Sequence, residues 1–170
     1  MADNEKINEL YNNGMYEFIN QNYEKSIGIL SKAVELDGGR KLTLVSRGSA
    51  FLRLDRLEEA VGDFNRAIEL DPEYARAYHL RGLVAERRGD DNSAVEDFTR
   101  AIDLDPEYGA AYHSRATLHT KMGNEEQAVE DMAMVQHLTN KNIETFANDN
   151  NVWRSQQLRV ESVMETEMER

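Results

Sequence analysis

Four histidines, three arginine–aspartate pairs and one doubled aspartate are the residues of this chain whose types could do chemistry. His79 and His113 are separated by a spacing of 34, and His119 and His137 follow them. A zinc site needs three or four ligands at fixed geometry, and the chain has no Cys, no HExxH run and no EF-hand loop to complete a set around these histidines. They read as groove-lining or surface residues, and no metal or cofactor is expected. No phosphate-cradling GxxxxGK and no GxSxG nucleophile turn occurs. Asp90 and Asp91 fall in the turn "RGDDN", where capping a helix N-terminus accounts for them without acid–base work. No catalytic constellation is found, so the chain is not expected to be an enzyme.

The arginines are more orderly. Arg47, Arg81 and Arg115 recur at intervals of 34, and each is followed at a spacing of 16 by an aspartate, Asp63, Asp97 and Asp131. One period earlier the two places hold Asn13 and Ile29, so Arg and Asp come and go together. A charge-assisted pair shielded by packing, within a repeat or between neighbours, is the favoured reading; contact with a peptide is the alternative.

The elements that position these residues are legible in the same period. "AIELDPEYARAYHLRG" (67–82) returns as "AIDLDPEYGAAYHSRA" (101–116), and Gly48 and Gly82, Ala60, Ala94 and Ala128, Phe64 and Phe98, and Pro72 and Pro106 keep the spacing of 34. A period of this length marks stacked supersecondary units. Division at 7–40, 41–74, 75–108 and 109–142 leaves a head at 1–6 and an extension at 143–170. Each unit holds two apolar-periodic stretches separated by a polar turn, which predicts a helical hairpin. In the third unit Ala94, Phe98, Ala101 and Ile102 form an i, i+4, i+7, i+8 stripe on the second helix. Gly14 with Ser26, Gly48 with Ala60 and Gly82 with Ala94 are expected where helix backbones approach.

Composition agrees with an all-α chain. Of 170 residues 40% are apolar, with two prolines and ten glycines, which leaves few interruptions for helices. A formal charge of −12 repels phosphate backbones, so nucleic acid is not an expected partner. No apolar run approaches the roughly 18 residues that span a bilayer, so no membrane insertion is expected. The start "MADNEKINEL" has neither the basic nor the apolar region of a secretory signal, and cytoplasm is the expected location.

These residues resemble the tetratricopeptide repeat, a 34-residue helix–turn–helix. The resemblance is carried by Tyr78, Gly82, Ala94, Phe98, Ala101 and Pro106 in the third unit and by Gly48, Phe51, Ala60, Phe64, Ala67 and Pro72 in the second. The first and fourth units match less well, with Gly38 and Asn140 at the proline place. Arg47, Arg81 and Arg115 stand where the family has Leu. The resemblance implies a right-handed superhelical solenoid of four repeats, whose first helices line a concave groove that takes peptide or protein segments. On the family's pattern the groove-facing residues include Tyr11, Met15, Phe18, Leu42, Val45, Arg53, Arg76, His79, Leu83, Arg87, His113 and Lys121. Four of the groove positions are cations, Arg53, Arg76, Arg87 and Lys121, against the single carboxylate of Glu86. Such a surface on an acidic protein predicts a partner segment that is partly apolar and partly acidic. The family's clamp for chaperone C-termini is not expected, because its places hold Tyr11, Met15, Ser46, Arg76 and Leu80 here, and of these only Arg76 could serve.

After Leu138 the stretch "TNKNIETFANDNN" is read as the end of the repeats, and a second amphipathic pattern begins near Val152, with Trp153, Val160 and Met164 on one stripe. That extension is expected to be a helix capping the last unit. The sequence as a whole reads as a non-enzymatic interaction module or assembly scaffold. One alternative is a self-assembling or autoinhibited protein, with the acidic C-terminal helix in its own groove or a neighbour's, giving a homo-oligomer. The other is an accessory subunit of an enzyme complex.

Overall fold

The computed structural model describes residues 2–38 and 40–149. Eight helices follow one another: α1 (Ala2–Ile19), α2 (Tyr23–Leu36), α3 (Lys41–Arg53), α4 (Leu57–Leu70), α5 (Ala75–Arg88), α6 (Asp91–Leu104), α7 (Gly109–Met122) and α8 (Glu125–Asp149). Among the described residues there is no strand. The helices pack as four hairpins, α1 with α2 through α7 with α8, and each second helix also packs on the first helix of the next hairpin. Successive first helices touch one another, whereas successive second helices do not. The array therefore curves, with α1, α3, α5 and α7 on its inner face.

Local chemistry sets the helix boundaries. Gly89 and Gly123 end α5 and α7 in the left-handed conformation, at φ 77° and 78°. The equivalent places in the first two hairpins hold Gln21 and Asp55, at φ 63° and 59°, so the repeat geometry imposes this turn even without glycine. Asp71 and Asp105 close α4 and α6, and their Oδ1 atoms accept from the backbone N–H of Glu73 (3.1 Å) and Glu107 (3.0 Å) around Pro72 and Pro106. Asp90 caps α6, accepting from Ser93 N–H at 3.2 Å, as read from the "RGDDN" turn.

The expected stripe Ala94, Phe98, Ala101 and Ile102 is buried. Close approach occurs at the predicted glycines, but against other residues than expected. A Cβ on Gly48 would lie 2.6 Å from the Phe64 ring and one on Gly82 2.7 Å from the Phe98 ring, while Gly14 faces Leu30. Ala60 and Ala94 are fully buried without being the nearest obstacle. In the first hairpin Ser26 Oγ does meet Gly14, donating to its carbonyl at 2.8 Å.

Both ends depart from the expected pattern. Residues 2–6, read as a head, are the first turns of α1. The segment after Leu138, read as a break, continues α8 to Asp149. It contains no Pro or Gly to stop the helix, and Thr139 and Thr145 donate their hydroxyls to the carbonyls of Val135 and Lys141 one turn back, so these polar side chains are satisfied within the helix. The stripe containing Trp153, Val160 and Met164 lies outside the described residues.

Candidate functional site

The repeated arginines are packing elements. Arg47 grips Asp63 through Nε (2.8 Å) and Nη2 (2.6 Å), Arg81 grips Asp97 at 2.8 and 2.7 Å, and Arg115 grips Asp131 at 2.8 and 2.7 Å. The remaining Nη1 donates to the preceding hairpin's second helix, at Ser31 (3.2 Å), Asn65 (2.8 Å) and Thr99 (2.9 Å). Each arginine thus ties three helices together, and hydrogen bonding to the aspartate holds its guanidinium above the ordinary range of an already strong base. The bidentate fork explains why Arg, and not Lys, recurs.

The inner face carries a hollow of about 440 Å³ lined by Phe18 of α1, Ser49, Leu52 and Arg53 of α3, and Arg76, Leu80, Leu83, Glu86 and Arg87 of α5. Three successive first helices supply it, because a unit repeated at a constant period returns the same helix face to the same side. The hollow gathers Phe18, Arg53, Arg76, Leu83 and Arg87 from the residues expected at the groove. Tyr11 and Met15 lie half-buried on α1 outside it. Leu42 is exposed and lines a separate hollow with Arg40, Lys41, Leu70 and Asp71. His113 is exposed on α7.

Two expected groove residues are not at the surface. Val45 is fully buried and belongs to the core that includes Tyr74 and Leu80. His79 is 7% exposed; its Nδ1 lies 3.1 Å from the Tyr108 hydroxyl and its Nε2 3.0 Å from Ser114 Oγ. In both cases the following hairpin closes over the position, an effect that a family pattern applied one unit at a time omits. Burial first, and the charge of Arg76 second, push the His79 imidazole down to about 4.

The charge of the groove is also smaller than a count of first-helix residues suggests. Arg87 pairs with Asp55 at 3.1 Å and Lys121 with Asp91 at 2.6 Å, both acids contributed by the preceding hairpin. Arg53 lies over the Tyr23 ring, 5.5 Å from its centroid, and donates to its hydroxyl at 3.1 Å. Arg76 is exposed and makes no ion pair among the described residues. It lines both the groove hollow and a second hollow at the loop edge beside Tyr74 and Tyr108. Asp55, in the α3–α4 turn, and Asp91, the first residue of α6, lie one hairpin before their partners, where a count of first-helix residues does not reach.

Among the described residues no cluster of three or more His, Asp or Glu side chains is placed to hold a metal. None of the helices there is long and apolar enough to cross a membrane.

The family profile described as "Tetratricopeptide repeat" matches residues 45–109, the stretch that runs from within α3 to the start of α7. No curated protein matches the chain. Among solved structures, the "Crystal structure of MamA" superposes with a TM-score of 0.74 at 26% identity, covering 84% of this chain and 84% of that one. The second tetratricopeptide domain of human RPAP3, solved in complex with the HSP70 peptide SGPTIEEVD, superposes at 0.65 with 27% identity over 68% of this chain and 97% of that one. The first such domain of RPAP3, bound to the HSP90 peptide SRMEEVD, gives 0.66 at 24% identity over 70% and 94%, a likeness of fold alone. Residues 45–109 thus match the tetratricopeptide repeat, and the hairpins that continue them on both sides share the all-α solenoid fold of the tetratricopeptide structures to which the chain is similar.

Proposed function

We propose that this protein is a non-enzymatic interaction module whose inner-face hollow takes a segment of a partner protein that is partly apolar and partly acidic. Phe18, Leu52, Leu80 and Leu83 offer the apolar floor. Arg76 offers the charge. Its lack of a carboxylate partner among the described residues, in a chain of net charge −12, is the observation that carries the reading. Arg87 contributes less, since an acidic partner would have to compete with Asp55 for it. The peptides held by the RPAP3 domains, SRMEEVD and SGPTIEEVD, combine acidic and apolar residues, which supports a ligand of this character.

The test is a library of synthetic peptides in which Glu and Leu positions are permuted, titrated against the wild-type protein and its variants. Arg76→Glu is expected to weaken the best acidic binder tenfold or more, about 1.4 kcal/mol. Arg87→Glu alone is expected to do less, and the double reversal to abolish measurable binding. Equal affinity of wild type and the double reversal would remove the acidic part of the reading, and a library without a binder would remove the groove.

A further inference from the structure

Val45 and His79 occupy the same place in successive units, and of the neighbouring places Leu80 gives way to Ser114 one period later while Tyr74 recurs as Tyr108. Tyr74 and Leu80 belong with Val45 to one apolar core. Over His79 the residues one period later, Tyr108 and Ser114, are hydrogen-bonded to the two ring nitrogens. An apolar seal between the second and third units has thus become a titratable one between the third and fourth. His79 also packs on the Phe98 ring at 5.6 Å, so α5, α6, the α6–α7 turn and α7 meet on this one side chain.

A neutral imidazole donates from one nitrogen and accepts at the other, whereas the protonated ring donates from both. Either hydroxyl can accept, so the hydrogen bonds of the junction permit the charged form. What opposes it is the surroundings. Phe98 faces the ring from α6, the Tyr108 phenol from the α6–α7 turn and Ser114 from α7; none of them supplies a negative charge. The charged group that bears on the ring is Arg76, one turn earlier on α5, while Asp105 and Tyr74 act on Tyr108. Arg76 is also a groove cation that, like Arg53, makes no ion pair among the described residues.

We infer that seating an acidic segment on Arg76 is coupled to proton uptake at His79, so that the junction between the third and fourth units acts as a pH-sensitive latch on the groove. The inference rests on the groove reading above. In the empty protein His79 is held down to about 4 by burial and by Arg76. A carboxylate on Arg76 cancels the second cause, so His79 titrates higher in the complex and binding takes up protons. Affinity then rises as pH falls from 7 to 5. Without a ligand the sign for stability is the opposite: the lowered folded-state pKa contributes stability above the ordinary value near 6.5, and this is lost as pH falls toward 4.

The strongest acidic binder from the permuted Glu/Leu library, chosen at pH 7, serves as the probe. The His79 ring signals are followed by NMR titration in the free and the peptide-saturated protein, and affinity is measured at pH 7 and pH 5. His79 is expected to titrate higher in the complex, with an affinity gain of up to about twofold at pH 5. Protonation of the peptide's own carboxylates works in the other direction and cannot mimic the gain. In the variant carrying His79→Val with Ser114→Leu, which copies the Val45 and Leu80 seal, the ratio of the two affinities should fall to one or below. An unchanged His79 titration on binding, or a gain that persists in the double variant, overturns the coupling while leaving the groove intact. Absence of any binder at either pH defeats the groove reading and the coupling with it.

Discussion

At the residue scale the three Arg–Asp forks separate packing from recognition. Arg81 and Asp97 keep 31% and 12% of their side-chain surface, so the pair is shielded but not dry. Removing the acid leaves a guanidinium that still holds Asn65 but has lost two charge-assisted bonds. Asp97→Ala is therefore expected to destabilise by about 2 kcal/mol, below the loss seen when a fully buried pair is broken. Chemical denaturation checks this, and unaltered stability with weakened peptide binding would move the pair from the frame to the ligand site. The fork was readable from sequence because Arg and Asp recur together at a fixed interval. The fates of Val45 and His79 were not, because whether such a position reaches the groove depends on what the next unit lays over it. Likewise the cation count missed Asp55, in the α3–α4 turn, and Asp91, the first residue of α6, because neither is on a first helix.

At the element scale the same substitution should have opposite signs on the two helices of one hairpin. Gly48 of α3 sits under the Phe64 ring, where a Cβ would lie 2.6 Å from a ring carbon and 3.1 Å from the Asp63 Cβ. An aromatic ring wedged in the core cannot withdraw as a flexible chain end would, so Gly48→Ala is expected to destabilise by about 1–3 kcal/mol. Gly62 of α4 is exposed, and an added Cβ meets nothing within 4 Å. There Ala removes the backbone-entropy penalty of a mid-helix glycine, and Gly62→Ala should stabilise by about 0.5–1 kcal/mol. Thermal melts of the two variants beside wild type decide the matter; a loss at position 62 would show that the outer face of α4 is covered in solution. Periodicity located these helices because each must bury one stripe, but it placed the end of the last one wrongly. Asn140 stands where Pro72 and Pro106 follow the ends of earlier helices, and a residue that merely fails to break a helix leaves α8 free to continue.

At the scale of the whole molecule the stacked units raise the question of the last helix. In α6 Phe98 is fully buried, whereas the equivalent Met132 of α8 is 47% exposed and Val129 is 69% exposed, because no further hairpin follows among the described residues. Ile143, on the extended part of α8, is exposed as well. Each unit of a solenoid draws its stability from its neighbours, so an uncovered terminal helix weakens the unit that carries it. The sequence beyond Asp149 supplies Val152, Trp153, Val160 and Met164 at helical spacing, directly connected to α8. If that segment folds back on Val129 and Met132, deletion of 150–170 should lower the thermal midpoint by about 5 °C or more, increase binding of a hydrophobic dye and cause concentration-dependent light scattering. If the acidic residues Glu161, Glu165 and Glu167 instead hold the segment against Arg76 in the groove, the same deletion should raise affinity for the acidic probe peptide with little change in the midpoint. The two readouts move independently, because the cap acts on the cohesion of the array and the inhibitory contact acts only on access to its inner face.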